Sequence, residues 1–213
     1  MLKDDSLKKS GQDKKTRIQV QNRERILDAA LAVFSRYGYR GSTVSQIAER
    51  CDMSKANLLY YYKSKTDIYV SVLEHTLEEW LAPLTKLNPD GDPAEQIWAY
   101  TQSKLALSKS APEASRLFAN EILQGAPMIK QFLQNDLKTL VDDKCAVIQH
   151  WINSGKLAPV TPLNLLFLIW ATTQHYADFH VQAEILSDHP EALFDDAEGT
   201  LKIVILNGLL PRQ

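Results

Sequence analysis

Two cysteines in 213 residues, Cys51 and Cys145, are too few and too far apart for a disulfide scaffold, a zinc ribbon or a Cys-x-x-Cys redox pair. They fit free thiols in a reducing compartment, so a cytoplasmic location is expected. No uninterrupted apolar run approaches the roughly 18 residues that a membrane span needs. The opening Met-Leu-Lys-Asp-Asp-Ser-Leu-Lys-Lys lacks the apolar stretch of a secretory signal. The five histidines include no i, i+4 pair, and His175 and His180, five apart, face differently, so no metal is expected. There is no Gly-x-Ser-x-Gly elbow and no Gly-x-Gly-x-x-Gly loop. Ser154-Gly155-Lys156 lacks the upstream glycine of a phosphate-binding loop. Alternating strand patterns, internal repeats and low-complexity tracts are also missing. These absences leave no footing for metal, nucleophilic or dinucleotide chemistry, and an enzyme is not expected.

What is present is ordinary in bulk and uneven in distribution. A hydrophobic share of 45% and a charged share of 23% fit a globular chain of one or two domains. The net charge of −2 conceals an asymmetry: residues 1–65 carry 14 Lys+Arg against 7 Asp+Glu, a net +7, and residues 66–213 carry a net −9. A basic N-terminal third is the electrostatic footprint of a duplex binder, and the acidic remainder is expected to point away from phosphate.

Apolar spacing predicts an all-α chain of about nine helices. Residues 1–15, rich in Lys, Asp and Ser, read as a disordered arm. Ile26, Leu27, Ala30, Leu31 and Phe34 then mark a helix over 17–37 that stops at Gly38. Ser64 caps a long helix from Lys65, and Asn88-Pro89-Asp90-Gly91-Asp92-Pro93 is a break. Helices are expected from Pro93 to Lys109, Pro112 to Gln124, Pro127 to Ser154, Pro162 to about Leu186, and Pro190 to Leu206. Three domains of the chain follow: the arm over 1–15, a DNA-binding part over 16–65, and a helical part over 66–213.

Residues 42–65 carry the most information. Thr43 with Gln46 forms a capping box that opens one short helix, and Ile47 and Ala48 give it an apolar stripe. Cys51-Asp52-Met53 is a tight turn, with Asp52 tolerant of left-handed backbone. Ser54 caps a second helix whose first turn exposes Lys55 and Asn57 while Leu58 and Tyr62 share one face. This is the build of a helix-turn-helix, in which one helix braces and the other offers donors to DNA. Near the C-terminus, 163–171 and 201–210 are apolar nearly all round, which predicts a subunit interface. A two-fold dimer suits a helix-turn-helix, because two recognition helices about 34 Å apart read successive major grooves.

With these residues in view, the chain resembles the TetR family of bacterial repressors. The resemblance rests on Ile26-Leu27-Asp28-Ala29-Ala30 to Phe34, Gly38-Tyr39, Gly41-Ser42-Thr43, Gln46-Ile47-Ala48 and Leu59-Tyr60-Tyr61-Tyr62-Lys63-Ser64-Lys65. Further segments, among them Trp80-Leu81-Ala82-Pro83-Leu84, Ala114-Ser115-Arg116-Leu117-Phe118 and Gln174-His175-Tyr176-Ala177-Asp178-Phe179, are similar to a pyrimidine-responsive branch of that family. The resemblance implies a homodimeric, mostly repressing regulator of pyrimidine or nitrogen metabolism genes that binds a palindromic duplex operator. It also implies that uracil or thymine alters the DNA affinity; another cyclic amide, a purine or a dihydropyrimidine, is the alternative. Cys51-Asp52-Met53 departs from the family's common Ala-Gly-Val at that turn.

On the DNA side, Ser54, Lys55, Ala56 and Asn57 are expected to face base edges: Asn bonds adenine, Lys reaches guanine, and Ala touches a thymine methyl. Thr43, Tyr60, Tyr61 and Lys65 are expected to clamp phosphates. Tyr62 is expected in the core. On the ligand side, Leu163, Phe167, Trp170, Gln174 and Asp178 fall near one helical stripe. The amide of Gln174 matches the N–H and C=O edge of a uracil, and Trp80 and Trp170 offer stacking surfaces. Leu81 and Phe118 are expected to close the pocket. Arg116 either donates to a ring carbonyl or pairs with Asp178 or Glu121. Gln174 is open between ligand contact and an interface hydrogen bond, and Asp178 between ligand contact and a buried ion pair. No cofactor is expected.

Overall fold

The computed structural model describes residues 4–209, with side chains from residue 17, and all regular structure among them is helical. The chain divides into two compact units between Val72 and Leu73. The disordered arm expected over 1–15 differs from the backbone described there, which is helical from Asp4 as the start of the first helix; the side chains of that stretch lie outside the described residues.

The first unit contains α1 (Asp4–Gly41), α2 (Val44–Arg50), α3 (Lys55–Tyr61) and the start of α4 (Lys65–Thr85). Its core is Ile26, Ala30, Phe34, Ile47, Leu58 and Ile68, all fully buried. The rings of Phe34, Tyr39 and Tyr69 pack together at centroid distances of 4.9 to 6.3 Å. Within α1 the helical path is interrupted at Gly38, where φ is 67° and ψ 173°, a conformation that L side chains rarely adopt. Ser42 Oγ donates to the Gly38 carbonyl at 2.6 Å and helps to fix that exit.

The second unit holds the rest of α4, then α5 (Pro93–Ser110), α6 (Pro112–Leu123), α7 (Lys130–Phe132), α8 (Lys138–Asn153), α9 (Pro162–Asp178), α10 (His180–Leu186) and α11 (Leu193–Leu209). Its core gathers Leu84, Ile97, Tyr100, Ile148, Trp151, Leu166, Ile169 and Ile205. The fully buried Trp151 keeps its polar handle satisfied, Nε1 donating to the Pro89 carbonyl at 3.1 Å. Proline or Asp-Pro starts open α5, α6 and α9, as the sequence predicts.

Two expected long helices are subdivided. The stretch from Pro127 to Ser154 becomes α7, a π-helical turn over Leu133–Leu137 and α8. The stretch from Pro162 to Leu186 stops at Asp178 and restarts at His180. Neither glycine nor proline marks that second break, so periodicity carried no sign of it. Its partners lie on α6: Arg116 Nη1 donates to the Ala177 carbonyl at 3.3 Å, and Ser115 Oγ donates to the Asp178 carboxylate. A helix end leaves carbonyls without an internal partner, and α6 supplies one here.

Candidate nucleic-acid interface and ligand cleft

The helix-turn-helix forms as its residues dictate. Gln46 N–H donates to Thr43 Oγ1 at 3.2 Å, and Thr43 N–H donates to Gln46 Oε1 at 2.8 Å, which closes the capping box. Asp52 takes φ 52°, the left-handed backbone anticipated for the turn, and Met53 N–H returns to the Ala48 carbonyl at 2.9 Å. Arg25 Nη2 donates to the Cys51 carbonyl at 2.8 Å and ties the turn to α1. Ser54 caps α3 by accepting from Asn57 N–H at 3.1 Å.

Capping leaves one face of α3 free. Leu58 points inward at 0% exposure, and Ser54, Lys55, Ala56 and Asn57 are all exposed. Tyr60 is 73% exposed and meets Tyr61 edge to face at 5.4 Å. The Tyr61 hydroxyl accepts from Asn22 Nδ2 at 2.8 Å, which leaves its own proton to donate outward. Tyr62 is buried with Arg23 5.6 Å over its ring, and burial pushes its phenol up.

Lys65 differs from the expected phosphate clamp. Its Nζ donates to the carbonyls of Tyr39 at 2.7 Å and Ser42 at 2.9 Å, and lies 4.4 Å from the Tyr39 ring centroid. The reason is the exit of α1, whose last carbonyls have no partner within their own helix. Two of the three ammonium donors therefore hold the α1–α2 connection, and Lys65 is first a structural residue.

In the second unit, a cleft of about 640 Å³ runs between α6 and α9, lined by Arg116, Phe118, Asn120, Trp170, Gln174 and Asp178 among others. Five of the seven residues expected to bind ligand are thus together. Trp170 is anchored by Nε1, which donates to the Tyr100 hydroxyl at 2.6 Å. Gln174 is half-buried on the wall, and among the described residues its amide has no hydrogen-bond partner. Arg116 bonds the Ala177 carbonyl, and Glu121 accepts from Met128 N–H at 2.7 Å. A second recess of about 840 Å³ shares Arg116, Asp178 and Phe179 and continues along α10.

Trp80 and Leu81 do not line the cleft. Leu81 packs against the core. Trp80 is 3% exposed, with Phe118 edge-on at 5.8 Å and the Lys104 ammonium 4.1 Å from its ring centroid. Both follow from the inward-facing stripe of α4, where burial wins over display.

Lys104, Ser115 and Tyr100 escaped the sequence reading. Lys104 is buried on α5, and burial lowers its pKa to about 7 against the opposing pull of the Asp178 carboxylate. Burial likewise raises the Asp178 carboxyl, opposed by Ser115, Lys104, Arg116 and His175. A signal existed: Ile97, Thr101, Lys104 and Ser108 share one helical stripe, so a cation falls on a face that also carries Ile97.

Comparison with known proteins adds two family matches. Residues 26–72 match the model described as bacterial regulatory proteins, tetR family, and residues 73–212 match YcdC-like protein, C-terminal region. The chain is 44% identical over 202 residues to the HTH-type transcriptional regulator RutR of Escherichia coli (strain K12), covering 93% of this chain and 95% of that protein. It is 28% identical over 151 residues to the HTH-type transcriptional repressor NicS of Pseudomonas putida, covering 68% of this chain and 70% of that one. Among solved structures, the ketosteroid transcriptional regulator KstR2 of Mycobacterium tuberculosis superposes with a TM-score of 0.67 at 17% identity, covering 89% of this chain and 95% of that chain.

Proposed function

The chain belongs to the TetR family of DNA-binding transcriptional regulators, and from that premise we propose that it is a homodimeric repressor of pyrimidine or nitrogen metabolism genes whose affinity for a palindromic operator is set by uracil or thymine. Its relatives are named regulators of transcription, and it is not an enzyme. The cytoplasm, where the operator lies, is its proposed location.

One observation carries the choice of effector: the unpaired amide of Gln174 on the cleft wall beside Trp170. Among the described residues the amide atoms carry no protein partner and open onto the cleft, so a ligand that displaces the water there can take both a donor and an acceptor. The edge of a cyclic imide presents N–H and C=O side by side, which restores a donor and an acceptor at once. Trp170 supplies an aromatic wall and Phe118 a second. At about 640 Å³ the cleft also has room for a bicyclic purine, which keeps xanthine as the second reading.

For the dimer, α9 leaves Leu163, Phe167 and Leu168 exposed and α11 leaves Ile203 and Val204 exposed, a large apolar face for one protomer to keep in water. For coupling, we place the change in α4, a continuous helix that belongs to the first unit at Lys65 and to the second at Trp80. A coupling of about 1–3 kcal/mol changes operator affinity from several-fold to about a hundredfold.

The test is a thermal-shift panel of uracil, thymine, dihydrouracil and xanthine, followed by gel shift on duplexes selected from a random library. Stabilisation by uracil or thymine, with a matching change in DNA affinity, is expected. Equal DNA affinity with and without saturating uracil and thymine removes the proposed effectors.

A further inference from the structure

Three neighbouring side chains of α1 reach the helix-turn-helix. Asn22 Nδ2 donates to the Tyr61 hydroxyl at 2.8 Å, the Arg23 guanidinium lies 5.6 Å from the Tyr62 ring centroid, and Arg25 Nη2 donates to the Cys51 carbonyl at 2.8 Å. Two of these contacts brace the unit: Arg25 ties down the turn, and Arg23 lies over a buried ring. The Asn22 bond differs, because its acceptor is the hydroxyl of a half-buried phenol on the recognition helix itself. Asn57, one helical turn before Tyr61, is exposed. The Tyr60 ring meets that of Tyr61 edge to face at 5.4 Å, which leaves the phenol little freedom to turn.

With the ring held, the hydroxyl proton is the remaining variable. Conjugation with the ring keeps a phenol O–H in the ring plane, so the proton has two directions open to it. Asn22 approaches with an N–H and takes a lone pair on one side, which sends the Tyr61 proton to the other side, away from α1. A phosphate oxygen only accepts. The direction of this one proton therefore decides whether the hydroxyl attracts the DNA backbone or presents lone pairs to it.

We propose that Asn22 is a positioning residue for DNA binding: by donating to the Tyr61 hydroxyl it fixes Tyr61 as a donor to a backbone phosphate. The premise is the DNA binding of the family and not the choice of effector, so no outcome below touches uracil or thymine. A phosphate contact sets affinity and register and carries no base preference of its own.

Reversing the polarity of the bond tests this. Asn22→Asp replaces the donor with an acceptor, so the Tyr61 proton turns back to α1 and no longer faces DNA. Dissociation constants of the full chain without ligand are measured on a duplex selected from a random library, with and without Tyr61→Phe in each background. In the wild-type background Tyr61→Phe is expected to weaken binding about tenfold, by the same factor on single-base variants of the duplex. In the Asn22→Asp background Tyr61→Phe is expected to cost almost nothing. The added carboxylate repels DNA in both members of that pair, so its charge cancels in the ratio. Asn22→Gln keeps an N–H donor, and the Tyr61→Phe penalty is expected to return with it. Replacing single phosphates by neutral methylphosphonates is expected to erase the penalty at one position in each half-site. Melting temperatures are expected to stay level across the set, since both side chains are half-exposed. An equal Tyr61→Phe penalty in the wild-type and Asn22→Asp backgrounds overturns the positioning role. A wild-type penalty that is absent, confined to particular base pairs or insensitive to every phosphate overturns the phosphate donor. Should Asn22→Asp misfold, Asn22→Glu makes the same reversal with a residue that favours helix.

Discussion

Two lysines, one at the start of α4 and one midway along α5, have opposite surroundings and so different expected behaviour. Lys65 bonds two backbone carbonyls, and charged hydrogen bonds of this kind contribute about 1.5–3 kcal/mol. Lys65→Met is therefore expected to lower the melting temperature and to leave the salt dependence of DNA binding nearly unchanged. Lys55 is exposed and unbonded, so Lys55→Ala is expected to preserve the melting temperature and relax base preference at one operator position, read by binding to single-base operator variants. Lys104 is buried, and its pKa in the folded chain is about 7 against 10.5 for an unperturbed lysine. Between those values the unfolded chain binds more protons, so the contribution of Lys104 to stability rises with pH. Lys104→Met without ligand is expected to raise the melting temperature most at pH 7 and below. The gain shrinks towards pH 10.5, and thermal melts across that window check it.

At the scale of elements, α3 depends on its caps more than on its length. Seven residues make too short a helix to persist alone, so Ser54 and the packing of Leu58 hold it. Ser54→Ala is expected to cost about 1 kcal/mol in chemical denaturation of the chain. The end of α1 depends on Gly38 in the same way. A Cβ there meets no atom within 4 Å, so Gly38→Ala tests backbone strain alone, with an expected loss of about 1 kcal/mol. Capping was legible in the residues: Thr43 with Gln46, Ser54 and Ser64 each cap where their types predict. The split between α9 and α10 was not legible. It is anchored by Ser115 and Arg116, about sixty positions away in the chain, and a local pattern carries no trace of such partners.

At the scale of the whole molecule, the proposed dimer has a direct check. Leu168→Glu combined with Val204→Glu places two charges on the exposed apolar faces of α9 and α11. Monomers by light scattering, and operator binding weakened by at least about tenfold, are the expected results, because a single half-site forfeits the second contact. The sizes and positions of the two units follow no single motif. No helix of the described residues is long and apolar enough to cross a membrane, in keeping with the lack of long apolar runs in the chain.

What the sequence by itself determined is local: the helical period, the capped starts, the left-handed Asp52 turn, the outward Lys55 and Asn57, and the inward Leu58 and Tyr62. Each depends on residues within a few positions of one another, and short-range sterics and hydrogen bonding suffice to decide them. The tertiary structure decided the rest. It turned Lys65 inward to the carbonyls of Tyr39 and Ser42, withdrew Trp80 into the core with Leu81 packed against it, and gathered Arg116, Phe118, Trp170, Gln174 and Asp178 on one cleft. Behind that cleft it set Lys104, a cation whose pKa is fixed by desolvation and by a carboxylate distant in the chain. Burial and long-range pairing are properties of packed surfaces, and only the packing could reveal them.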